Sequence, residues 1–244
     1  MAFKLKDPSR SLSLGSAGFT KPSYFKGLPY DWVESEKVPE SILTSSLHER
    51  YKADALAKRN LFEVLVAYVP PGIPGIPIDG THIATSTMLL LPTSRGSVML
   101  KSANPLDQPD IQPNYLQTNL DKETLIHATR RTLHAILGTH ALKEYVESET
   151  PPSGEGLEEL TPLTTLSSKE DILDRIQKTG TQHHHSGGTA AMGKVVDSDG
   201  NVIGIEKLRI VDASIIPLPL GGHPQATLYA LAEQLAESIL EQGK

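Results

Sequence analysis

Apolar positions along the chain fall in periodic blocks, and proline- and glycine-rich stretches separate them. Ile42, Leu43, Leu47, Tyr51, Ala55 and Leu56 recur at helical spacing behind Pro39 and Glu40, which predicts helix within residues 39–60. Residues 61–69, LFEVLVAYV, are apolar and β-branched and read as a buried strand. The segment 70–80, PPGIPGIPIDG, cannot enter a sheet interior because proline has no amide to donate, so it reads as a loop long enough to serve as a mobile lid. Residues 81–91 and 95–101 read as an antiparallel strand pair split by Pro92-Thr93-Ser94, and Asp110, Pro113 and Asn114 mark a further turn.

Residues 121–137 predict a helix capped by Asp121, lined by Ile126, Leu133 and Leu137 and stopped by Gly138. A second short helix is expected at 139–147 and a polar surface connection at 148–166. Ser168-Lys169-Glu170-Asp171 matches a capping box ahead of Ile172, Leu173 and Ile176, with Gly180 as the stop. Near the end, Leu228, Leu231, Leu235 and Ile239 form one stripe of a helix over 228–240. Residues 1–38, with Pro8, Pro22 and Pro29 and little periodicity, read as an extended lead-in.

Composition narrows the function classes. The 244 residues carry 23 basic and 29 acidic side chains, a formal net charge of −6 with no long basic run, which argues against nucleic acid or an anionic membrane as partner. The absence of cysteine excludes disulfides, thiolate zinc sites and a cysteine nucleophile. No apolar run approaches the roughly 20 residues needed to span a bilayer, and the first residues lack the apolar core of a secretory signal, so a soluble, cytoplasmic protein is expected. No Gly-x-Ser-x-Gly elbow, Walker loop or Gly-x-Gly-x-x-Gly run occurs.

Candidate chemistry gathers in the last 64 residues. On an extended segment His183 and His185 share one face and His184 takes the other, which allows two metal ligands completed by a carboxylate from elsewhere; no third ligand stands at a motif spacing, and a polar surface turn is the simpler reading. Ser186-Gly187-Gly188-Thr189-Ala190-Ala191 admits close approach of backbone to a ligand, or makes a tight turn into a strand. Gly221-Gly222-His223-Pro224 places a second histidine on a glycine-flanked loop at a helix N-terminus.

Taken together these segments resemble the glucose–methanol–choline (GMC) oxidoreductases. The matching text is His185-x-x-Gly188-Thr189-x-x-Met192-Gly193, Val195-Val196-Asp197, Leu208 through Pro217, and His223-Pro224-Gln225-x-Thr227-x-Tyr229-Ala230. Weaker similarity covers Gly27-Leu28-Pro29, Asp79-Gly80-Thr81-His82, Leu91 through Val98 and Pro113-Asn114-Tyr115-Leu116, so the likeness extends along most of the chain but to the C-terminal half of a family member.

The resemblance implies an α+β fold: an antiparallel sheet flanked by helices, the substrate domain over 39–182, followed by a strand–loop–helix remnant of the flavin domain over 183–244 packed on the same core. It implies His185 and His223 as the catalytic acid–base pair, and Asp212, Ala213, Pro224, Gln225 and Thr227 as the flavin-side positions. The family's dinucleotide fold has no counterpart in the sequence, so the expectation is an enzyme without cofactor or metal. It would catalyse a redox-neutral cyclisation, dehydration or isomerisation of a small natural-product-like substrate, as some family members do. The alternatives are a FAD-dependent alcohol oxidase or dehydrogenase part that needs its other half, and an inactive remnant that binds a partner. A homodimer would cover the surface that a flavin domain otherwise takes.

Overall fold

The computed structural model describes residues 1–7, 30–47, 55–67, 70 and 72–242. These group into two units: Met1–Leu89 with Asn119–Thr181, and Leu90–Thr118 with Gln182–Lys244. The second unit therefore takes 90–118 from the stretch that the sequence joins to the sheet.

The first unit is built on a five-stranded antiparallel sheet. Its strands are β1 (Ala2–Leu5), β2 (Tyr30–Glu36), β3 (Phe62–Ala67), β4 (His82–Leu89) and, later in the chain, Val146–Thr150, in the order β2-β3-β4-β1 with Val146–Thr150 at the far edge. The expected lead-in is thus corrected at both ends. Ala2–Leu5 lies between two strands, with Ala2 opposite both Ala84 and Thr150 and both Ala2 and Phe3 fully buried. Four residues are too few to show an alternation, and both partners lie far away in sequence.

Helix α1 (Glu40–Ser46) ends sooner than the spacing suggests, because Leu47 is extended at φ −121° and ψ 121°. Helix α2 (Asn119–Leu133) begins two residues before Asp121, which is buried inside its first turn and does not cap it. One part of α2 packs Leu120 and Ala128 with Phe62, Leu43 and Leu61. The other packs Ile126 and Leu133 with Phe3, Val146 and Ile172. The helix widens into a π turn over His134–Gly138 before the helical turn His140–Lys143.

The predicted short helix and surface connection are then corrected. Val146–Thr150 is a strand, here β5, whose Glu149 is fully buried. Glu149 accepts from the Leu163 amide at 2.8 Å and pairs with Arg175 at 2.5 Å, and Arg175 also donates to the Thr161 carbonyl at 2.6 Å. Arg175 belongs to α3 (Lys169–Thr179), which opens on the expected capping box: Ser168 accepts from the Asp171 amide, and Asp171 accepts from Ser168.

The loop over 72–80 is fastened near its middle. Ile76 is buried, the Ser153 amide donates to the Pro74 carbonyl at 3.1 Å, and Gly75 has φ +73° where an added Cβ would meet Ser153 Oγ at 1.9 Å. At its end Asp79 accepts from the Thr81 amide and hydroxyl, Thr81 meets His82 Nδ1 at 2.7 Å, and His82 Nε2 meets Thr150 Oγ1 at 3.1 Å. Asp79 through His82 therefore ties the start of β4 to the end of β5. Residues 68, 69 and 71 lie outside the described residues, as do 48–54 of the first predicted helix.

In the second unit, Ser97–Met99 pairs antiparallel with Asp110–Gln112 and not with residues 81–91. Gly96 permits this, since a Cβ there would stand 2.4 Å from the Gln112 carbonyl oxygen. The C-terminal part has a small apolar cluster of its own, Val196, Ile215 and Leu235, with Met192, Val202, Ile210 and Leu231 against it. The last helix, α4, spans Gln225–Gln242, three residues longer than predicted at its start; Leu235 is buried, while Ile239 at the end of the predicted stripe is exposed. No helix among the described residues is long and apolar enough to cross a membrane.

Candidate active site

The histidine loop is held by backbone. The amides of Gly188, Ala190 and Met192 donate to the carbonyls of Ala213, Ser214 and Ile215 at 3.2, 2.9 and 2.8 Å. The glycines make this approach possible. A Cβ on Gly187 would stand 2.7 Å from the Ala213 oxygen, and Gly188 sits at φ +80° with the Ile216 oxygen 3.1 Å from its Cβ position. Between the two readings of this small-residue loop, its glycines are taken up by the chain's own residues 213–216.

The opposing turn, Ala213–Ile215, is itself capped. Asp212 accepts from the Ser214 amide at 2.8 Å, and the hydrogen bonding from Ser214 holds its carboxyl below the usual range. Nearby in sequence, Asp197 accepts from the amides of Asp199 and Asn201 at 2.9 Å, and Arg209 donates to Asn201 Oδ1 at 2.7 Å. These bonds staple the hairpin-like stretch that feeds Leu208 through Asp212 into the turn.

His223 arrives from the other side of the motif segment. It follows Gly221-Gly222 and precedes Pro224, whose carbonyl accepts the Leu228 amide at 2.9 Å and so begins α4. His185 and His223, both exposed, come together with ring centroids 5.1 Å apart and nearly perpendicular planes, at 88°. His183 joins them, 5.2 Å from His185 and 6.0 Å from His223. Each of the three offers a ring nitrogen within 4.8 Å of the others.

His184 stands apart from this group. Its backbone is left-handed at φ +56°, and its amide donates to Gln182 Oε1. The extended backbone expected for 183–185 is thus broken at its middle residue, yet the flanking rings still face each other. The member that spacing could not supply is His223, 38 positions beyond His185; the signal available was its glycine-flanked loop.

Of the flavin-side positions, Asp212 and Ala213 are engaged in positioning the histidine loop, while Gln225 and Thr227 are exposed in the first turn of α4. A flavin dinucleotide needs a glycine cradle between a strand and a helix N-terminus. Among the described residues Gly188 is closed off by the Ile216 carbonyl, and Gly154 and Gly156, at φ +145° and +79°, open no helix, while Gly222 stands in open space just before α4.

The GMC oxidoreductase family model matches residues 92–232. The GMC-type oxidoreductase acuG of Aspergillus aculeatus is 40% identical, with 98% of this chain aligned to 46% of that protein. Versicolorin B synthase stcN of Emericella nidulans is 31% identical over 87% of this chain and 35% of its own length. Among solved structures, formate oxidase from Aspergillus oryzae shares the fold at a TM-score of 0.73 and 24% identity, covering 99% of this chain and 45% of that one. The chain spans about half the length or less of the relatives it matches, and it belongs to the GMC oxidoreductase family.

Proposed function

We propose that His185 and His223 form an acid–base pair that moves a proton at one centre of a small hydroxylated or enolisable molecule. The observation that carries this is their spacing. Two ring nitrogens no more than 4.8 Å apart leave room for a single oxygen at about 2.8 Å from both. One imidazole takes the proton from a hydroxyl or carbon acid while the other donates to the developing oxyanion. Proton transfer of this kind needs no electron acceptor, so the reaction is a redox-neutral cyclisation, dehydration or isomerisation. The relative named for versicolorin B synthesis supports a natural-product-like substrate.

The test is conversion of a panel of hydroxyketone and diol natural-product precursors by the flavin-free chain. Turnover without oxygen uptake is expected. His185→Ala and His223→Ala should each lower it about 10²–10⁴-fold while leaving the melting temperature unchanged. Turnover in either variant equal to that of the parent would refute the pair.

A second reading is favoured by one observation. The chain aligns to 46% of a GMC-type oxidoreductase and leaves Tyr229, Leu218 and Leu240 more than 60% exposed, as a piece of a larger flavoenzyme would. Activity that appears only with FAD and consumes oxygen would select that reading.

A further inference from the structure

We infer that His183, His185 and His223 together form a binding site for one divalent transition-metal ion of the zinc class. The three imidazoles offer ring nitrogens within 4.8 Å of one another. Tetrahedral coordination at about 2.0–2.1 Å from zinc to nitrogen puts ligand nitrogens about 3.3 Å apart. The rings must therefore close by about 1.5 Å at most, which side-chain rotation on loops supplies. The donor set decides the class of ion: three neutral nitrogens suit zinc, cobalt, nickel or copper, whereas calcium and magnesium take oxygen. Three protein ligands leave a fourth position for water.

The surrounding backbone holds the ligands in place. Gly187 and Gly188 pin the loop of His183 and His185 against residues 213–216, and Pro224 sets His223 at the start of α4. His184, at φ +56°, is not a member of the group. A bound ion occupies the lone pairs that a base would use, so metal binding and proton transfer by His185 and His223 exclude each other. That consequence rests on the acid–base reading; the site itself does not.

The experiment is titration of the chelator-treated full chain with Co²⁺, followed by its visible absorption, and with Zn²⁺ by calorimetry. One ion per chain is expected, with a tetrahedral cobalt band. His183→Gln, His185→Gln and His223→Gln should each weaken binding at least tenfold, and His184→Gln should leave it unchanged. Circular dichroism of each variant checks that the fold is retained, and alanine variants at the same positions serve where a glutamine variant unfolds. No stoichiometric binding, or an equal loss in His184→Gln, would overturn the site, the latter by showing capture through the bare histidine run. Because the readout is binding and not turnover, failure here leaves the acid–base pair standing, and the reverse also holds.

Discussion

The sheet unit encloses charged groups, and the unit that carries the histidines exposes more of its large apolar side chains than the sheet unit, where Leu166 is the one described residue of that kind more than 60% exposed. In the first, Glu149 and Arg175 are buried against each other and both make further bonds to backbone carbonyls or amides; among the described residues Arg175 Nε is left without a hydrogen-bond partner, as are the buried hydroxyls of Thr85, Thr87 and Thr124. In the second, the buried apolar side chains among the described residues are Leu90, Ala190, Val196, Ile215 and Leu235, while Met99, Leu106, Leu218, Tyr229 and Leu240 are more than 60% exposed. Stability is concentrated where burial is complete. The histidine loop is instead shaped by backbone hydrogen bonds and glycine contacts, which set geometry without a large core.

The sharpest break of this contrast is Leu235→Asp. A carboxylate in the three-residue cluster with Val196 and Ile215 has no partner, so about 4 kcal/mol or more of stability should go, and the C-terminal helix with it. Helix protection in hydrogen exchange equal to that of the parent would show that α4 does not depend on that cluster. In the sheet unit, Glu149→Ala strands Arg175 and should cost about 3–5 kcal/mol in urea unfolding. The double change Glu149→Leu with Arg175→Met should recover much of that loss, because paired burial is itself expensive.

Acid should weaken the sheet unit next. Burial pushes the His82 and His127 pKa values down, so the unfolded chain takes up their protons first as pH falls. Their contribution is full above the ordinary histidine range, about 6.5, and is lost as pH falls from there toward the lowered folded values. Melting at pH 7.5 and 5.5 should show a smaller drop in His82→Gln than in the parent. The smallest effect belongs to the exposed face: Leu240→Ser should change stability by less than about 0.5 kcal/mol, measured by urea unfolding.

Legibility in the sequence followed how local each signal was. The capping box at Ser168 and the strand at 62–67 depend on neighbours and were readable. β1 and β5 were not, because both are short and owe their state to partners across the sheet. VESET reads as polar, and the Leu163 amide and the Arg175 guanidinium, 14 and 26 residues on, make Glu149 a core residue. At the site, His185 and His223 were legible as family motif positions, and the structure brings them into contact distance. His183 was legible beside His185 as a possible ligand pair, but that His223 joins the same pair was not, since it follows from the fold of two loops 38 residues apart.

The proposed proton-transfer pair works in this chain without flavin, and the visible spectrum tests that proposal most directly. Purified protein should be colourless, and titration with FAD should produce neither a bound-flavin band nor saturable fluorescence quenching, while substrate conversion proceeds. A yellow protein holding one flavin per chain, with conversion lost when the flavin is removed, would contradict it.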